Sequence, residues 1–309
     1  MTRGFITLAT GQQKYYDMAL NMLKSFRIHN PGVPFAIVCD RQNDVTAQFD
    51  DVIVLADANG DYRDKFSLLV STPYDETIFI EPDCLIYRNL DFFWNLLCGD
   101  SDFSCFGWNN GGAQAWFKTE AEQERLMEII PGLNEIADVP LFNPGYFFIR
   151  KGDGCKKMYE DCLRIAEMIS SDKTFSDNSH ILCNGKLRDD PILDVSMYIN
   201  GFICNAVPEK GKCIAVPSKY TYNKIDAING ILNVTDKRGK VFENCALLHF
   251  STRRAMEEGL YLWQTIIFNL AYKKSNIYKF FDNKLFYGAC CFYRYIKTRV
   301  KRVLRALFK

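Results

Sequence analysis

Five side chains able to do polar chemistry fall at the ends of apolar runs: Glu81, Asp83, Asp189, Asp190 and His249. Glu81 and Asp83 follow Thr77-Ile78-Phe79-Ile80, which reads as a buried strand. Residues i and i+2 of a strand face one side, so the two carboxylates can converge just past its carboxyl end. They repel there unless a cation lies between them, and a hard divalent ion such as Mg²⁺ or Mn²⁺ takes oxygen ligands. The competing reading is a polar turn, since Pro and Asp are common turn residues. His249 closes the short apolar run Ala246-Leu247-Leu248. Of the three histidines, His29 falls in a helix stop and His180 in a polar loop, so His249 is the strand-end candidate for a metal ligand, with a packed or capping role as the alternative. Asp189 and Asp190 precede a helical pattern carrying Val195, Met197 and Tyr198, where one of them could equally cap the helix.

The elements that must position these groups follow a regular order. Phe5–Ala9 is a first buried strand, ended by Thr10-Gly11. Tyr15, Met18, Met22, Leu23 and Phe26 recur at helical spacing until Asn30-Pro31-Gly32 stops them. Phe35–Cys39 is a second strand closed by Asp40, and Val52–Leu55 a third. Short connections in this order open an α/β unit with a parallel sheet, across whose strand ends a nucleotide would lie. Phe66–Val70 predicts a core-facing helix ended by Pro73, and Asp102–Phe106 a further strand leading into the glycine-rich loop 107–112. Glu120–Ile130 and Lys157–Ile169 have helical patterns, and Phe142-Asn143-Pro144-Gly145 enters another apolar strand. No G-x-G-x-x-G follows the first strand and no Walker lysine motif is present, which argues against a dinucleotide oxidoreductase or a P-loop enzyme. A diphosphate would have to be handled by a metal and basic side chains.

The composition, 48% hydrophobic and 24% charged over 309 residues, supplies ample core. The twelve cysteines are scattered, with no Cys-x-x-Cys pair, which argues against a zinc site; Cys39, Cys84 and Cys105 sit in or beside apolar runs as small hydrophobes. The start, Met1-Thr2-Arg3-Gly4 running straight into a strand, does not read as a signal peptide, and no run approaches the ~20 apolar residues of a spanning helix. The expected compartment is the reducing cytosol.

These stretches, in this order, resemble a GT-A glycosyltransferase, most closely the family 8 type of nucleotide-sugar transferase, over roughly residues 1–265. Phe5–Gly11 with Tyr15 and Tyr16 looks like the nucleotide-binding opening, and Asp40 like a residue near the base or ribose. Arg63-Asp64-Lys65 and the run from Thr72 to Asp83 look like the approach to the Asp-x-Asp metal motif. Phe142-Asn143-Pro144-Gly145, Asp189-Asp190-Pro191 and His249-Phe250 resemble the Phe-Asn-x-Gly entry, the acidic pair near the transferred sugar and the third metal ligand. The resemblance implies a Rossmann-like, mixed and mainly parallel α/β sheet flanked by helices, in a domain spanning 1–270. It implies an enzyme moving a sugar from a UDP-sugar to a glycan or lipid-linked acceptor, with retention. In that scheme Glu81, Asp83 and His249 hold Mn²⁺ or Mg²⁺. Thr7, Ala9, Thr10, Tyr15, Asp40, Arg63, Lys65, Pro82, Arg253 and Arg254 bind the nucleotide sugar, and Asp189, Asp190 and Asn143 act at the reacting sugar. Two departures stand out: Glu81 replaces the first Asp, and Phe250-Ser251-Thr252-Arg253-Arg254 replaces a Gly and Lys-Pro-Trp run. They motivate an alternative, a catalytically inactive nucleotide-binding or scaffold protein.

The segment 271–309 reads as a basic, aromatic helical appendage. From Lys273 onward eleven Lys or Arg face a single acid, Asp282, so the preceding chain carries a net negative charge of nine. Aromatic and aliphatic residues interleave with the bases, as in an amphipathic segment lying on an anionic leaflet. The apolar content favours the membrane over nucleic acid, which suits a cytoplasmic protein peripheral to the inner face. Packing of the helix on its own domain is the alternative.

Overall fold

The computed structural model describes residues 1–176, 178, 180–183, 185–206, 214–215, 220–236, 238–251 and 259–307. In chain order the strands are β1 Arg3–Ala9, β2 Phe35–Cys39, β3 Asp51–Val54, β4 Glu76–Ile80, β5 Cys84–Ile86, β6 Phe103–Trp108, β7 Leu141–Arg150, β8 Leu182–Cys183, β9 Lys186–Leu187, β10 Cys204–Ala206, β11 Ile214–Ala215, β12 Tyr220–Asp226, β13 Ile231–Asp236, β14 Val241–Phe242 and β15 Leu247–His249. The helices are α1 Gln13–His29, α2 Leu68–Ser71, α3 Phe92–Leu97, α4 Gly112–Trp116, α5 Glu120–Ile129, α6 Asp153–Ser171, α7 Asp189–Ile199, α8 Gly259–Tyr272, α9 Tyr278–Phe281 and α10 Lys284–Leu307. They form two compact units. The first comprises residues 1–16, 34–81 and 91–207, and the second residues 17–33, 82–90 and 208–309.

The first unit is built on a seven-stranded sheet in the order β10-β6-β7-β4-β1-β2-β3. β1 pairs in parallel with β2 and β4, β2 with β3, and β6 with β10. β7 runs antiparallel to both β4 and β6. The carboxyl ends of β1, β2, β4 and β6 therefore share one edge with the amino end of β7, the edge where ligands of open α/β sheets lie. This is the mixed, mainly parallel sheet the sequence predicts. β4 is buried along its whole length, as expected of a strand with both faces covered. α6 presents Cys155, Met158, Cys162, Ile165 and Ile169 at three- and four-residue intervals to the core, and α7 adds Ile192, Leu193, Val195 and Met197. Phe147, 1% exposed, stands at the centre, with its ring 4.8 Å from Phe79 and 5.3 Å from Phe103.

One predicted helix takes a different form. Residues 62–67 make a 3₁₀ turn that runs into the four-residue α2, because Asp61 accepts from the Arg63 N–H and starts a tighter winding. α2 stops two residues before Pro73, as predicted.

The second unit holds a three-stranded sheet, β11-β15-β5, and a meander, β12-β13-β14. Its core gathers Leu85, Tyr87, Leu232, Leu248, Phe250 and the α8 residues Leu260, Ile267 and Phe268. The buried Tyr87 hydroxyl donates to Gln264 Oε1 at 2.9 Å. α8 and α10 approach so closely at Gly259 that a Cβ there would lie 2.4 Å from the Cys291 backbone nitrogen.

Truncating a large ring at a site that cannot collapse removes its transfer energy and leaves a cavity. Phe147→Ala is expected to lower the unfolding free energy by about 3–5 kcal/mol, read from denaturant melts. A loss under about 1 kcal/mol would show that Phe147 is not the sheet's packing centre.

Candidate functional site

In the first unit a cluster of charge forms at the carboxyl edge of the sheet. Glu81 follows β4 directly, and its N–H donates to the Gly145 carbonyl at 2.8 Å. β7 carries extra residues here: Cys105 pairs with Phe147 but Gly107 already pairs with Phe142. The slack is Asn143-Pro144-Gly145, a bulge that interrupts pairing at the sheet's ligand edge. Asn143 Oδ1 accepts from the Gly145 N–H at 2.9 Å and so fixes the bulge.

Lys65, on the 3₁₀ turn, is 7% exposed. Its ammonium donates to Glu81 Oε1 at 2.6 Å and is ion-paired with Asp189 Oδ2. Burial works against the Lys65 charge, but Asp189, Glu81 and Asp190 together outweigh it and hold the group above the ordinary lysine range. Burial pushes the Asp189 carboxyl up to about 6, reinforced by Asp190 and Glu81, while Lys65 pulls the other way. Lys65 therefore stays charged, and Asp189 is the member of the pair that titrates within reach of neutrality.

Asp189 and Asp190 are the first two residues of α7, where a helix favours negative charge. Arg188 Nε donates to Asp190 Oδ2 at 3.0 Å, and its guanidinium lies 4.9 Å over the Trp116 ring. Trp116 Nε1 donates to Asp194 Oδ2 at 2.7 Å, and the Phe142 N–H donates to Asp194 Oδ1 at 3.2 Å. Burial raises the Asp194 carboxyl well above its usual range although both donors oppose it. Asp194 thus ties α4, α7 and the start of β7 together behind the acidic pair. Sequence reasoning did not single out Arg188, Trp116 or Asp194. The available signals were the contiguity of Arg188 with Asp189 and the helical i, i+4 spacing of Asp190 and Asp194; nothing local marked Trp116.

The proposed nucleotide residues of this unit divide by accessibility. Thr7 and Ala9 are buried in β1, and Thr10 nearly so. Asp40 accepts from the Gly11 N–H at 2.9 Å and from the Tyr16 hydroxyl. Burial opposes ionisation of Asp40, but these donors and Arg41 lower its pKa overall. Gly11, at φ +75°, meets Gly60 backbone to backbone, a Cβ on Gly11 lying 3.3 Å from the Gly60 Cα. Asp40 therefore shapes the turn after β1. Tyr15 is half-buried under the Lys14 ammonium, and Arg63 is exposed and paired with Asp61 at 3.0 Å.

In the second unit β5 and β15 pair antiparallel, with His249 opposite Cys84. Their register is locked by the Phe250 N–H donating to the Asp83 carbonyl at 3.0 Å. His249 Nε2 lies 3.2 Å from Asp83 Oδ1. Asp83 Oδ1 is buried and makes no hydrogen bond. Asp83, Cys84 and His249 are the one group of three or more His, Cys, Asp or Glu, among the described residues, whose ligand atoms all lie within 4.8 Å of one another. Two donors bound at right angles to one ion at 2.0–2.2 Å are about 3 Å apart, so the Asp83–His249 spacing fits a divalent cation. Pro82 is half-buried beside Asp83. Glu81 belongs to the first unit and is paired with Lys65. Arg253 and Arg254 lie outside the described residues.

No protein-family model matches the sequence, and no curated protein matches it. Solved structures do. The galactosyltransferase LgtC, crystallised with donor and acceptor sugar analogues, aligns at 12% identity and a TM-score of 0.51 over 88% of this chain and 96% of its own. The bifunctional glycosyltransferase WbbM aligns at 11% identity and a TM-score of 0.52 over 91% of this chain, which spans 51% of that longer one. The chain has the fold of these glycosyltransferases.

Lys65→Met would leave Glu81, Asp189 and Asp190 without their buried counter-charge, a loss of about 3–5 kcal/mol. The pH dependence has a definite sign. The folded pKa of Asp189 is raised, so its ionisation costs stability as pH rises from about 4, its unfolded value, through about 6. Without Lys65 that window moves higher. The stability gap between Lys65→Met and wild type should therefore widen from pH 5 to pH 8 in thermal melts, and a pH-independent gap would contradict the assignment.

Proposed function

We propose that this protein is a glycosyltransferase that moves a sugar from a UDP-sugar to a glycan or lipid-linked acceptor, with retention, using Mn²⁺ or Mg²⁺. The observation that carries the reading is the buried Asp83 Oδ1, without a hydrogen bond and 3.2 Å from His249 Nε2, in a chain with a glycosyltransferase fold. Asp83 and His249 would hold the ion; Glu81 as a third ligand rests on its spacing from Asp83 in the sequence. The bound ion supplies positive charge to the diphosphate as the sugar departs.

The chain's own groups have the following roles. Lys65, held charged by Asp189 and Glu81, supplies fixed positive charge at the carboxyl edge of the sheet. Asp189 and Asp190 accept from sugar hydroxyls or face the electron-poor anomeric carbon, and Arg188 fixes the orientation of Asp190. Asn143, whose Oδ1 accepts from the Gly145 N–H, keeps its amide N–H₂ for the sugar in this reading. Thr10, Tyr15, Asp40 and Arg63 are assigned to the nucleotide, and Arg253 and Arg254 to the charge of the diphosphate, on their places in the sequence. LgtC is described with both donor and acceptor sugar analogues, and the same two substrate classes are proposed here. The Lys65–Glu81 pair also suits the second reading, an inactive nucleotide-binding relative, because it already neutralises one carboxylate of the motif.

The test is donor hydrolysis across a panel of UDP-sugars with Mn²⁺. Asp83→Ala is expected to lose at least about 100-fold in rate, about 2.7 kcal/mol of barrier. UDP binding indifferent to Mn²⁺, with no turnover of any donor, would leave the inactive reading standing.

We further propose that α10 lies on an anionic leaflet at the inner face of the membrane, in the cytoplasm. Leu285, Phe292, Ile296 and Val300 are exposed at seven- and four-residue intervals, one stripe of the helix. Lys297 and Arg299 sit 5.7 and 5.2 Å over the rings of Tyr293 and Tyr295. No described helix is long and apolar enough to cross a membrane. Binding to phosphatidylglycerol vesicles should fall at least about tenfold in Ile296→Glu, with donor hydrolysis in solution unchanged. Retention of full vesicle binding by Ile296→Glu would dismiss this role.

A further inference from the structure

We propose that the Cys84 thiol, rather than Glu81, which is paired with Lys65, is the third protein ligand of the Asp83–His249 centre, so that this centre binds thiophilic ions such as zinc(II) more tightly than Mn²⁺ or Mg²⁺ through an Asp-Cys-His donor set. The inference rests on the metal-binding reading above and goes beyond it by assigning the ion's chemical class to a residue of this chain.

The placement is a consequence of register. Residues directly opposite in an antiparallel pair project to the same side of the sheet. His249 and Cys84 are such a pair. Asp83 precedes Cys84, and its carbonyl is fixed by the Phe250 N–H, so its carboxylate reaches the same place from the strand's end. The three donor atoms lie within 4.8 Å of one another. Around a tetrahedral zinc, with Zn–S about 2.3 Å and Zn–N or Zn–O about 2.0–2.2 Å, neighbouring donors are about 3.3–3.6 Å apart. Asp83 and His249, at 3.2 Å, stand just inside that spacing. Cys84, within 4.8 Å of both, needs a rotamer-scale adjustment of at most about 1.5 Å to join them.

The chemistry of the three donors is selective. Carboxylate and imidazole accept both hard and borderline ions, whereas a thiolate favours zinc, cobalt or cadmium over magnesium and manganese. On binding, the thiol proton leaves to solvent as the sulfur–metal bond forms. Three protein ligands leave one tetrahedral position open, the arrangement of an accessible rather than a closed zinc site. Asp83 is the partly exposed member, whereas Cys84 and His249 are buried, so an ion enters from the Asp83 side. The absence of a Cys-x-x-Cys pair excludes only sites whose sulfur ligands are close in sequence; here the strand pairing supplies the proximity across more than 160 residues.

The test is cobalt(II) titration of the whole reduced protein, followed by absorption. A near-ultraviolet sulfur-to-cobalt charge-transfer band is expected at one equivalent, and it should vanish in both Cys84→Ser and Cys84→Ala. Those variants should bind zinc at least about 10-fold more weakly, in competition with a chromophoric chelator, while their manganese affinity stays within about twofold. Metal-free melts of both variants separate loss of a ligand from loss of fold. Cobalt that binds, and is lost in His249→Ala, without a charge-transfer band would overturn the Cys84 assignment and leave the Asp83–His249 centre intact. A band that persists in both Cys84 variants would overturn it as well. If neither cobalt nor manganese binds at all, the metal-dependent reading falls with it.

Discussion

The buried ammonium of Lys65 is the constraint around which the first unit's polar edge is arranged. A lone cation in a protein interior is costly enough that the group would shed its proton, and a lone buried carboxylate would take one up. Lys65 avoids this because Glu81 and Asp189 reach it from two different elements, the end of β4 and the start of α7. Each element must then stop where it does. One more residue of β4 would carry Glu81 out of line, and a slip of α7 would leave Asp189 facing the core without a counter-charge. A buried ion pair of this kind contributes little net stability, but removing one partner is costly because the other charge is left buried and uncompensated.

The antiparallel strand β7 supports the same edge in another way. It lies between two strands parallel to each other, and its amino end arrives where theirs finish. The bulge at Asn143-Pro144-Gly145 absorbs residues that regular pairing could not place. It brings the Gly145 carbonyl to the N–H of Glu81. Behind it, Asp194 accepts from Phe142 and Trp116, and Trp116 carries the Arg188 that fixes Asp190. The acidic pair is thus held by packing and hydrogen bonds made several residues away, which is how a polar site is kept in one geometry.

The second unit solves a simpler problem. A three-residue pairing of β5 with β15 brings an imidazole, a carboxylate and a thiol together. The short strands make that register depend on few contacts, among them the Phe250–Asp83 backbone bond and the core packed around Leu85, Leu248 and Phe250.

Much of this was decided locally. The β-favouring run into Glu81, the helical spacing of Tyr15 to Phe26 and the breaks at Gly11, Pro31 and Pro73 fix strands and helices through backbone preference and side-chain periodicity, and neighbours in sequence suffice for that. The α/β class, the sheet edge that carries the acids and the candidacy of Glu81, Asp83, Asp189, Asp190 and His249 follow from such patterns. What only the tertiary structure decided is which charges meet. Lys65 and Asp189 are 124 positions apart, and Trp116 is 72 from Arg188. No local pattern records that Lys65 neutralises Glu81, that Asp40 shapes the turn at Gly11, or that Cys84 stands opposite His249. Those pairings come from strand order and register, which are set by the burial of whole apolar faces, and a burial energy summed over a core leaves no mark on any one residue of the sequence.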